Sequence, residues 1–354
     1  MKDRRPLLVL AVLAVLLLIA ASLLSRGSAD VVATADGGVE NKKTRKERVV
    51  YPRDKKRVRV SRALDDPRPA EERKRSLDAL QRSVLGDAQK GAVFVEANAL
   101  RHSPLMEKVL KCREADANGG LAQMKEELGI DPLEDLDRIG FNGEVFAASG
   151  FFQGMRVPSE AGAGQAYGDK ARLWHVEGEK GQDVVFAQVD QGLLLSGPDE
   201  ATVKAAIDRA EGRSAASGGP PAGLGESELY GSLPGSFLAR LALGSRDPNV
   251  ARIAELVTST SVRMNVAQDA ALSLDVATRD EAASEELEKT LNGGLALLRA
   301  QAEQKGERDV AALLDQARLE RAEGGGLMFD VAVPGDFLLK SLGCGPDGTP
   351  LASP

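Results

Sequence analysis

Histidine is scarce in this chain of 354 residues, which contains only His102 and His175. The two lie far apart in the sequence, so a metal centre built from several imidazoles is excluded, and a Ser-His-Asp triad would have to use one of them. His102 precedes a helix start and His175 lies beside Trp174 in a predicted strand, so we expect structural roles for both. Aromatic residues make up only 4% of the chain, which argues against surfaces that stack sugars or bases.

Sequence signatures of common catalytic sites are also missing. The chain has no Gly-x-Ser-x-Gly elbow, Ser-x-x-Lys pair, phosphate-binding Gly-x-x-x-x-Gly-Lys loop or His-Glu-x-x-His motif. A Gly-rich run at 162–168 lacks the spacing and the strand-to-helix context of a dinucleotide site. We therefore predict a protein that is not an enzyme and that has no cofactor.

One cluster of acidic residues is a candidate for catalysis or metal binding. Asp131, Glu134, Asp135 and Asp137 follow one another closely. We predict a helix with Asp131 as N-cap and Glu134 in the capping-box position, because carboxylates at a helix N-terminus are stabilised by the dipole and by unpaired amides. A calcium site is less expected, since the alternating ligand spacing is absent. A carboxylate-based hydrolase of the cell envelope, using Asp131, Glu134 and Asp135, is an alternative function.

The longest apolar run occupies 6–24 and has no counterpart later in the chain. At about 1.5 Å per residue it spans the hydrocarbon core of a bilayer, so we predict a transmembrane anchor over 6–25. Three basic residues precede it, namely Lys2, Arg4 and Arg5. By the positive-inside rule the tip (1–5) is cytoplasmic, and the bulk of the chain is periplasmic and held at the inner membrane. Small residues at 27–29 leave cleavage as a signal peptide as the alternative.

Charge is distributed unevenly along the chain. Residues 76–354 hold 27 Lys and Arg against 43 Asp and Glu, whereas basic residues dominate 42–75. We interpret 26–65 as a flexible tether, because it has no apolar periodicity. Its candidate contacts to acidic surfaces are Lys42, Lys43, Arg45, Lys46, Arg48, Lys55, Lys56, Arg57 and Arg59. An electrostatic arm on acidic lipid or cell-wall polymer is thus a second alternative function, and the acidic remainder argues against a nucleic-acid partner.

Periodicity and capping residues predict mixed helices and strands after the tether. A short helix is expected within 66–90, begun by Asp66 and ended by Gly86. The first half, 91–212, then has these predicted elements: a strand over 91–100, a helix begun by Ser103 and Pro104, strands over 144–152, 171–176 and 183–195, and a helix begun by Asp199.

A Gly/Pro/Ser segment at 213–225 separates this half from a second one at 226–343, which a tail (344–354) follows. Setting Pro248 against Pro104 aligns a predicted strand over 237–243 with the strand that opens the first half. The second half continues with a hairpin over 261–278, a helix begun by Asp280, another helix, a hairpin around 324–326 and a final helical turn. The fold class is therefore α+β, with antiparallel sheets, helices on one face and two repeated halves after a transmembrane helix.

Cys112 and Cys344 are the only cysteines. An oxidising compartment would allow them to form a disulfide that joins the first long helix to the tail. The alternative is a free thiol at Cys112, which lies on the apolar helix face with Leu105 and Val109 and would serve there as a small hydrophobe.

The order of anchor, tether, LGIDPLEDLDRIG (128–140), DEATVKAAIDRAEG (199–212) and LMFDVAVPGDFLLKSL (327–342) resembles a broad group of uncharacterised single-pass bacterial envelope proteins. The resemblance implies fold and location only. Our preferred hypothesis is a membrane-tethered, non-enzymatic envelope protein whose α+β domain binds a protein, a lipid or an envelope polymer.

Overall fold

The computed structural model describes most of the chain after residue 68. The described residues are 69–86, 91–114, 125–126, 129–131, 134–157, 162–177, 183–216, 227–235, 252–253, 255–306, 308–322 and 325–350. The predicted tip, anchor and tether therefore lie outside the described residues, as do the basic side chains of the tether. Within the described ranges, no helix combines the length and the apolar character that a bilayer span requires.

The part of the chain that the structure describes contains seven helices. They are α1 (Ala70–Val84), α2 (Ala97–Arg101), α3 (Pro104–Glu114), α4 (Glu200–Ala210), α5 (Glu281–Gln304), α6 (Arg308–Leu314) and α7 (Gly335–Ser341). Predicted caps begin several of them. Ser103 Oγ accepts a hydrogen bond from the backbone N–H of Met106, and the Asp199 and Asp280 carboxylates accept from those of Thr202 and Ala283. These three helix starts are confirmed.

The described residues also form twelve strands. They are β1 (Ala92–Val95), β2 (Leu136–Phe141), β3 (Phe146–Gly150), β4 (Gln165–Tyr167), β5 (Ala171–Glu177), β6 (Asp183–Val189), β7 (Leu193–Gly197), β8 (Leu229–Pro234), β9 (Val257–Val266), β10 (Ala270–Thr278), β11 (Arg318–Arg321) and β12 (Leu327–Val333). All pair antiparallel in one sheet, in the order β11-β12-β10-β9-β8-β1-β2-β3-β7-β6-β5-β4. The predicted α+β class with antiparallel pairing is confirmed, and the two halves share a single sheet.

The strand order is similar in both directions from the central β1–β8 pair. On one side it runs β1-β2-β3-β7-β6 and on the other β8-β9-β10-β12-β11. In each direction a central strand is followed by a hairpin, and a later hairpin is added beyond it. We call β1–β7 the first half of the sheet and β8–β12 the second half.

The chain divides into two compact units. The larger takes in 58–289 and 316–354 and therefore holds the whole sheet. Of the smaller, the structure describes 290–306 and 308–315, which contain the last part of α5 and all of α6. Within this smaller unit Arg299 Nη1 lies 2.7 Å from Asp315 Oδ1.

The main core lies on one face of the first half of the sheet. Side chains of α1 and α4 pack there against Phe94, Ala147 and Leu195, all nearly inaccessible to solvent. The two helices are also joined by hydrogen bonds from Arg209 to the Ser83 carbonyl at 2.8 Å and from Arg82 to the Ala210 carbonyl at 2.7 Å. Burial of this size is the principal source of stability for the first half.

Helices are found on both faces of the sheet. α1 and α4 cover the face that carries Phe94, whereas Arg321, three positions after Arg318 in β11, projects from the opposite face. Arg321 pairs there with Glu288 of α5 at 2.6 Å. The expectation that the helices share one face is therefore wrong for the start of α5.

The predicted strand over 91–100 is too long. β1 ends at Val95, and 97–101 form α2. Val93 and Phe94 are both buried, at 6% and 1% exposure, because β1 is central and covered on both faces. Alternation of apolar residues therefore does not predict where this strand ends. The Ala-rich sequence after Glu96 favours a helix.

The helix predicted to begin at Asp131 is also wrong. Of the described residues in this stretch, 134 and 135 form a turn, the amide of Asp135 donates to the Asp131 carbonyl, and the chain enters β2 at Leu136. An irregularity between Leu136 and Arg138 interrupts the β2–β3 register. Pairing with two neighbouring strands overrides the local helix signal, and the sequence alone does not show those partners.

Two further boundaries differ. The single strand expected over 183–195 is two strands, separated by a turn in which Asp190 adopts φ 58°. β8 was not predicted, and it begins the second half of the sheet, where the sequence alignment places a strand over 237–243 as the counterpart of β1. The residues of that expected strand lie outside the described ones. The hairpin expected over 261–278 is confirmed as β9 and β10.

Candidate binding surface

One register row crosses all twelve strands on a single face of the sheet. From β11 to β4 it contains Arg318, Asp330, Ser273, Arg263, Tyr230, Phe94, Gly140, Ala147, Leu195, Ala187, Leu173 and Gln165. Directly paired residues point to the same face. The row changes character at Tyr230, since its members in β9–β12 are charged or carry a hydroxyl, and those in most of the first half are apolar.

Neighbouring positions extend the polar part of this row into a surface that we call the polar face. Its members alternate with apolar residues along their strands, so they share the face that carries Arg263. They are Ser232, Ser261, Arg263, Asn265, Ser273, Asp275 and Asp330. All are half-buried. The polar face therefore lies on the same side of the sheet as the helix-covered core of the first half.

Cross-strand polar contacts organise the polar face. The Arg263 guanidinium forms an ion pair with the Asp275 carboxylate, and their side chains are 37% and 36% exposed. Ser273 Oγ donates a hydrogen bond to Asp330 Oδ1 at 2.6 Å. Asn265 Oδ1 is buried and has no hydrogen-bond partner among the described residues. The surface thus presents hydrogen-bond donors and acceptors, and charges of both signs, at the regular spacing of a sheet. This arrangement suits a polar partner rather than an apolar one.

A buried polar group marks the boundary between the polar face and the core. Glu96 Oε1 accepts hydrogen bonds from Arg138 Nε at 2.8 Å and from the Tyr230 hydroxyl at 2.7 Å. The Glu96 and Arg138 side chains are only 11% and 12% exposed. The Tyr230 ring stacks on Phe94, with centroids 5.6 Å apart. This group joins β1, β2 and β8 and therefore links the two halves at their centre.

Arg101 lies beside the acidic segment that the sequence singled out. Its Nη2 donates to the Leu136 carbonyl at 2.9 Å, whereas Nε and Nη1 are buried with no partner among the described residues. Burial lowers the pKa of Arg101, and the nearby carboxylates of Asp137 and Glu134 act in the opposite direction. Because a guanidinium group is protonated at neutral pH, Arg101 offsets part of the negative charge of this segment.

The four acidic candidates do not form one open cluster. Asp137 is 2% exposed and bound by Arg73 at 2.8 Å, while Asp131 pairs with Lys125 at 2.7 Å. Asp135 Oδ2 accepts the backbone N–H of Asp131 at 2.6 Å, and burial raises the pKa of Asp135. Within the described ranges no three His, Cys, Asp or Glu residues are grouped in a way that could hold a metal ion. The geometry accounts for Asp131, Asp135 and Asp137 by ion pairing and capping.

The two cysteines are joined in the structure. Cys112 of α3 and Cys344, which follows α7, form a disulfide with Cα atoms 5.9 Å apart. Lys111 Nζ also donates to the Asp347 carbonyl at 3.3 Å, so the segment after α7 is held on α3 by two contacts. The free-thiol alternative for Cys112 does not hold in this structure.

The histidines take part in no catalytic arrangement that the described residues show. His175 Nε2 lies 3.3 Å from Glu200 Oε2 at an exposed position. His102 is the residue that ends α2. The polar face itself was missed by sequence reasoning, although the signal was present. The alternation that predicts the β9–β10 hairpin from Val262, Met264 and Leu274 also places Arg263 and Asp275 together on the other face.

Comparisons with known proteins add little. No protein-family model matches the chain, and no curated protein resembles it in sequence at a significant level. Among solved structures it matches one titled "Structure of crystal form I of TP0453", with a TM-score of 0.38 and 10% identity. That match covers 74% of this chain and 97% of the other. A likeness at this level supports no inference about fold or function.

Proposed function

We propose that the chain is a membrane-tethered, non-enzymatic protein of the bacterial envelope whose α+β domain binds a hydrophilic partner, a protein or an envelope polymer, through the polar face. The observation that carries this proposal is the contrast along one register row. In the first half the row is apolar and two helices cover it, whereas in the second half it is polar and half-exposed.

The chemistry of the polar face favours a polar partner over a lipid. Arg263, Asp275 and Ser273 offer donors and acceptors close together on a regular surface, to which Met328, the register partner of Asp275, adds an apolar side chain. The buried Asn265 Oδ1 adds an acceptor that gains from an incoming donor. Interfaces of this kind obtain specificity from matched hydrogen bonds and charges.

Two features support a location outside the cytoplasm. The apolar run at 6–24, preceded by Lys2, Arg4 and Arg5, has the length and the charge bias of an inner-membrane anchor. The Cys112–Cys344 disulfide is the kind of bond that persists in the periplasm and not in a reducing cytosol.

The two halves of the sheet are proposed to be repeats of one unit. The support is the similar strand order outward from β1 and β8, together with the stacking of Phe94 on Tyr230 across the centre. On this proposal the first half acquired a helical cover on one face, and the corresponding face of the second half became a binding surface.

The test is photo-crosslinking in whole cells with the full-length protein. A photoreactive amino acid is placed at Ser273 or Ser261 on the polar face, and the matched control is Gln165, an exposed position in the same register row at the other edge. We expect a discrete crosslinked product from the two serine positions and none from Gln165. Equal products at all three positions, or none at any, would contradict the proposed binding surface.

The anchor is tested separately by fractionation. The full-length chain should sediment with membranes and resist extraction at alkaline pH, and a variant that lacks 6–25 should not. Recovery of the unprocessed chain from the cytosol would overturn the envelope location.

The two alternative functions have less support. For the hydrolase, Asp131 is already bound to Lys125, and Asp135 caps a turn. For the electrostatic arm, the basic residues of the tether lie outside the described part of the chain. Binding to acidic vesicles that persists after neutralising those residues would dismiss it.

A further inference from the structure

The longest described helix, α5, has poor helix-forming residues at its middle. Asn292, Gly293 and Gly294 interrupt a sequence that is otherwise rich in Ala, Leu, Glu, Arg and Gln over Glu281–Gln304. Two consecutive glycines inside a helix raise the free energy of the helical state through the backbone entropy that they lose. The helix has 24 residues, about twice the average length. A small bend at its middle would therefore move its ends by a large distance.

Neither backbone conformation nor packing requires glycine at position 293. Gly212, Gly306 and Gly325 need the left-handed conformation, with φ of 77°, 73° and 94°. Gly293, in contrast, lies in the helix at an exposed position, and a Cβ placed there would meet no heavy atom within 4 Å. Alanine would therefore fit and would favour the helix, so the presence of glycine has no structural explanation in the packing.

The two sides of this glycine pair are held by separate sets of contacts. Before it, Glu286 pairs with Arg252 at 2.6 Å, and Ser284 Oγ donates to the Gly326 carbonyl at 3.2 Å. After it, Arg299 pairs with Asp315.

We propose that Gly293 and Gly294 form a flexible joint in α5. On this proposal the helix bends at these two residues and is straight only part of the time. The exposed Leu297, at 55% exposure, lies on the bending segment one turn after the joint. This inference is independent of the binding surface proposed above.

The first experiment is hydrogen exchange on the full-length protein and on the Gly293→Ala/Gly294→Ala variant. Each glycine in a helix interior weakens the helix by about fivefold in its local equilibrium, so we expect exchange of the amides around 290–298 to slow by about fivefold in Gly293→Ala and by up to about 25-fold in the double variant. Exchange of β9 and β10 should not change. Lys289→Ala, an exposed substitution beside the joint, is the matched control and should leave all rates within about twofold.

The second experiment measures bending directly. Nitroxides attached through Glu281→Cys and Ala300→Cys lie about 28 Å apart on a straight helix. The distance distribution of the wild-type background should be broad and include shorter distances, and that of the double alanine variant should narrow to the straight-helix value. A single narrow distribution in the wild-type background, or equal exchange rates in wild type and double variant, would overturn the proposal.

Discussion

The same face of one sheet is built in two different ways in the two halves of this protein. In the first half Phe94, Ala147 and Leu195 lie beneath α1 and α4 with almost no exposure. In the second half Arg263 and Ser273, in the same register row, remain half-exposed and bind Asp275 and Asp330 instead. One strand pair, β1–β8, separates the two regions. The comparison indicates that stability is concentrated in the first half, and that the second half is free to use this face for recognition.

The largest expected effect comes from the covered half. Phe94→Ala should lower the free energy of unfolding by about 3–5 kcal/mol, because it removes a fully buried ring and its stacking on Tyr230. Ser273→Ala, in the same row on the polar face, should cost about 1 kcal/mol through the lost hydrogen bond to Asp330. Urea denaturation of both variants measures the difference, and similar losses would contradict the division between the halves.

The disulfide should contribute almost as much to the free energy of unfolding as the Phe94 ring. Replacing Cys112 and Cys344 together by Ala should lower stability by about 2–5 kcal/mol, since the bond closes a loop of 232 residues and restricts the unfolded chain. Thermal unfolding of the purified variant, compared with the oxidised protein, tests this. If the reduced wild type and the double variant both unfold at the wild-type temperature, the bond does not stabilise the fold.

A smaller effect is expected on the polar face. A double-mutant cycle with Arg263→Ala and Asp275→Ala should give a coupling of about 0.2–1 kcal/mol, because both side chains are more than a third exposed and screened by solvent. Each variant should nevertheless abolish the Ser273 crosslink described above. A coupling of several kcal/mol, with crosslinking retained, would assign this pair to the core of the fold and not to recognition.

The smallest effect concerns acid conditions. Hydrogen bonds from the backbone and side chain of Thr202 lower the pKa of the Asp199 carboxyl at the start of α4. Unfolded Asp takes up its proton first as the pH falls, so this stabilisation is complete above the ordinary Asp pKa and is lost as the pH falls through the lowered value. Asp199→Asn keeps the cap but should flatten the pH dependence of stability below the ordinary Asp pKa. An unchanged profile would show that the cap makes no pH-dependent contribution.

How much the sequence predicts depends on whether the deciding interactions are local. The caps Ser103, Asp199 and Asp280 act within three residues of themselves, and the helix starts that they mark are confirmed. The end of β1 and the start of β2 depend instead on partners far along the chain, such as Arg73 for Asp137. Local patterns cannot report such partners, and both predictions were wrong.

The polar side chains of the candidate surface could be found from the sequence, but the contrast between them and the covered half could not, for a related reason. A polar residue that alternates with apolar ones predicts a solvent-exposed strand position, and the pattern is the same whether or not that residue takes part in binding. That Arg263 shares a row with the buried Phe94 follows only from the register of three consecutive strand pairs. The contrast between a covered and an open region of one face is therefore a property of the assembled sheet.

The central strand pair has a consequence for how the protein is made. Glu96 and Tyr230, which meet across β1 and β8, are separated by 134 positions. At typical ribosome speeds, on the order of ten seconds pass between the synthesis of the two strands. During that interval β1 has one hydrogen-bonding edge without its final neighbour. Such an edge is a template for wrong pairing between nascent chains. A chaperone that shields extended segments during synthesis or export would therefore be expected to raise the yield of the native protein.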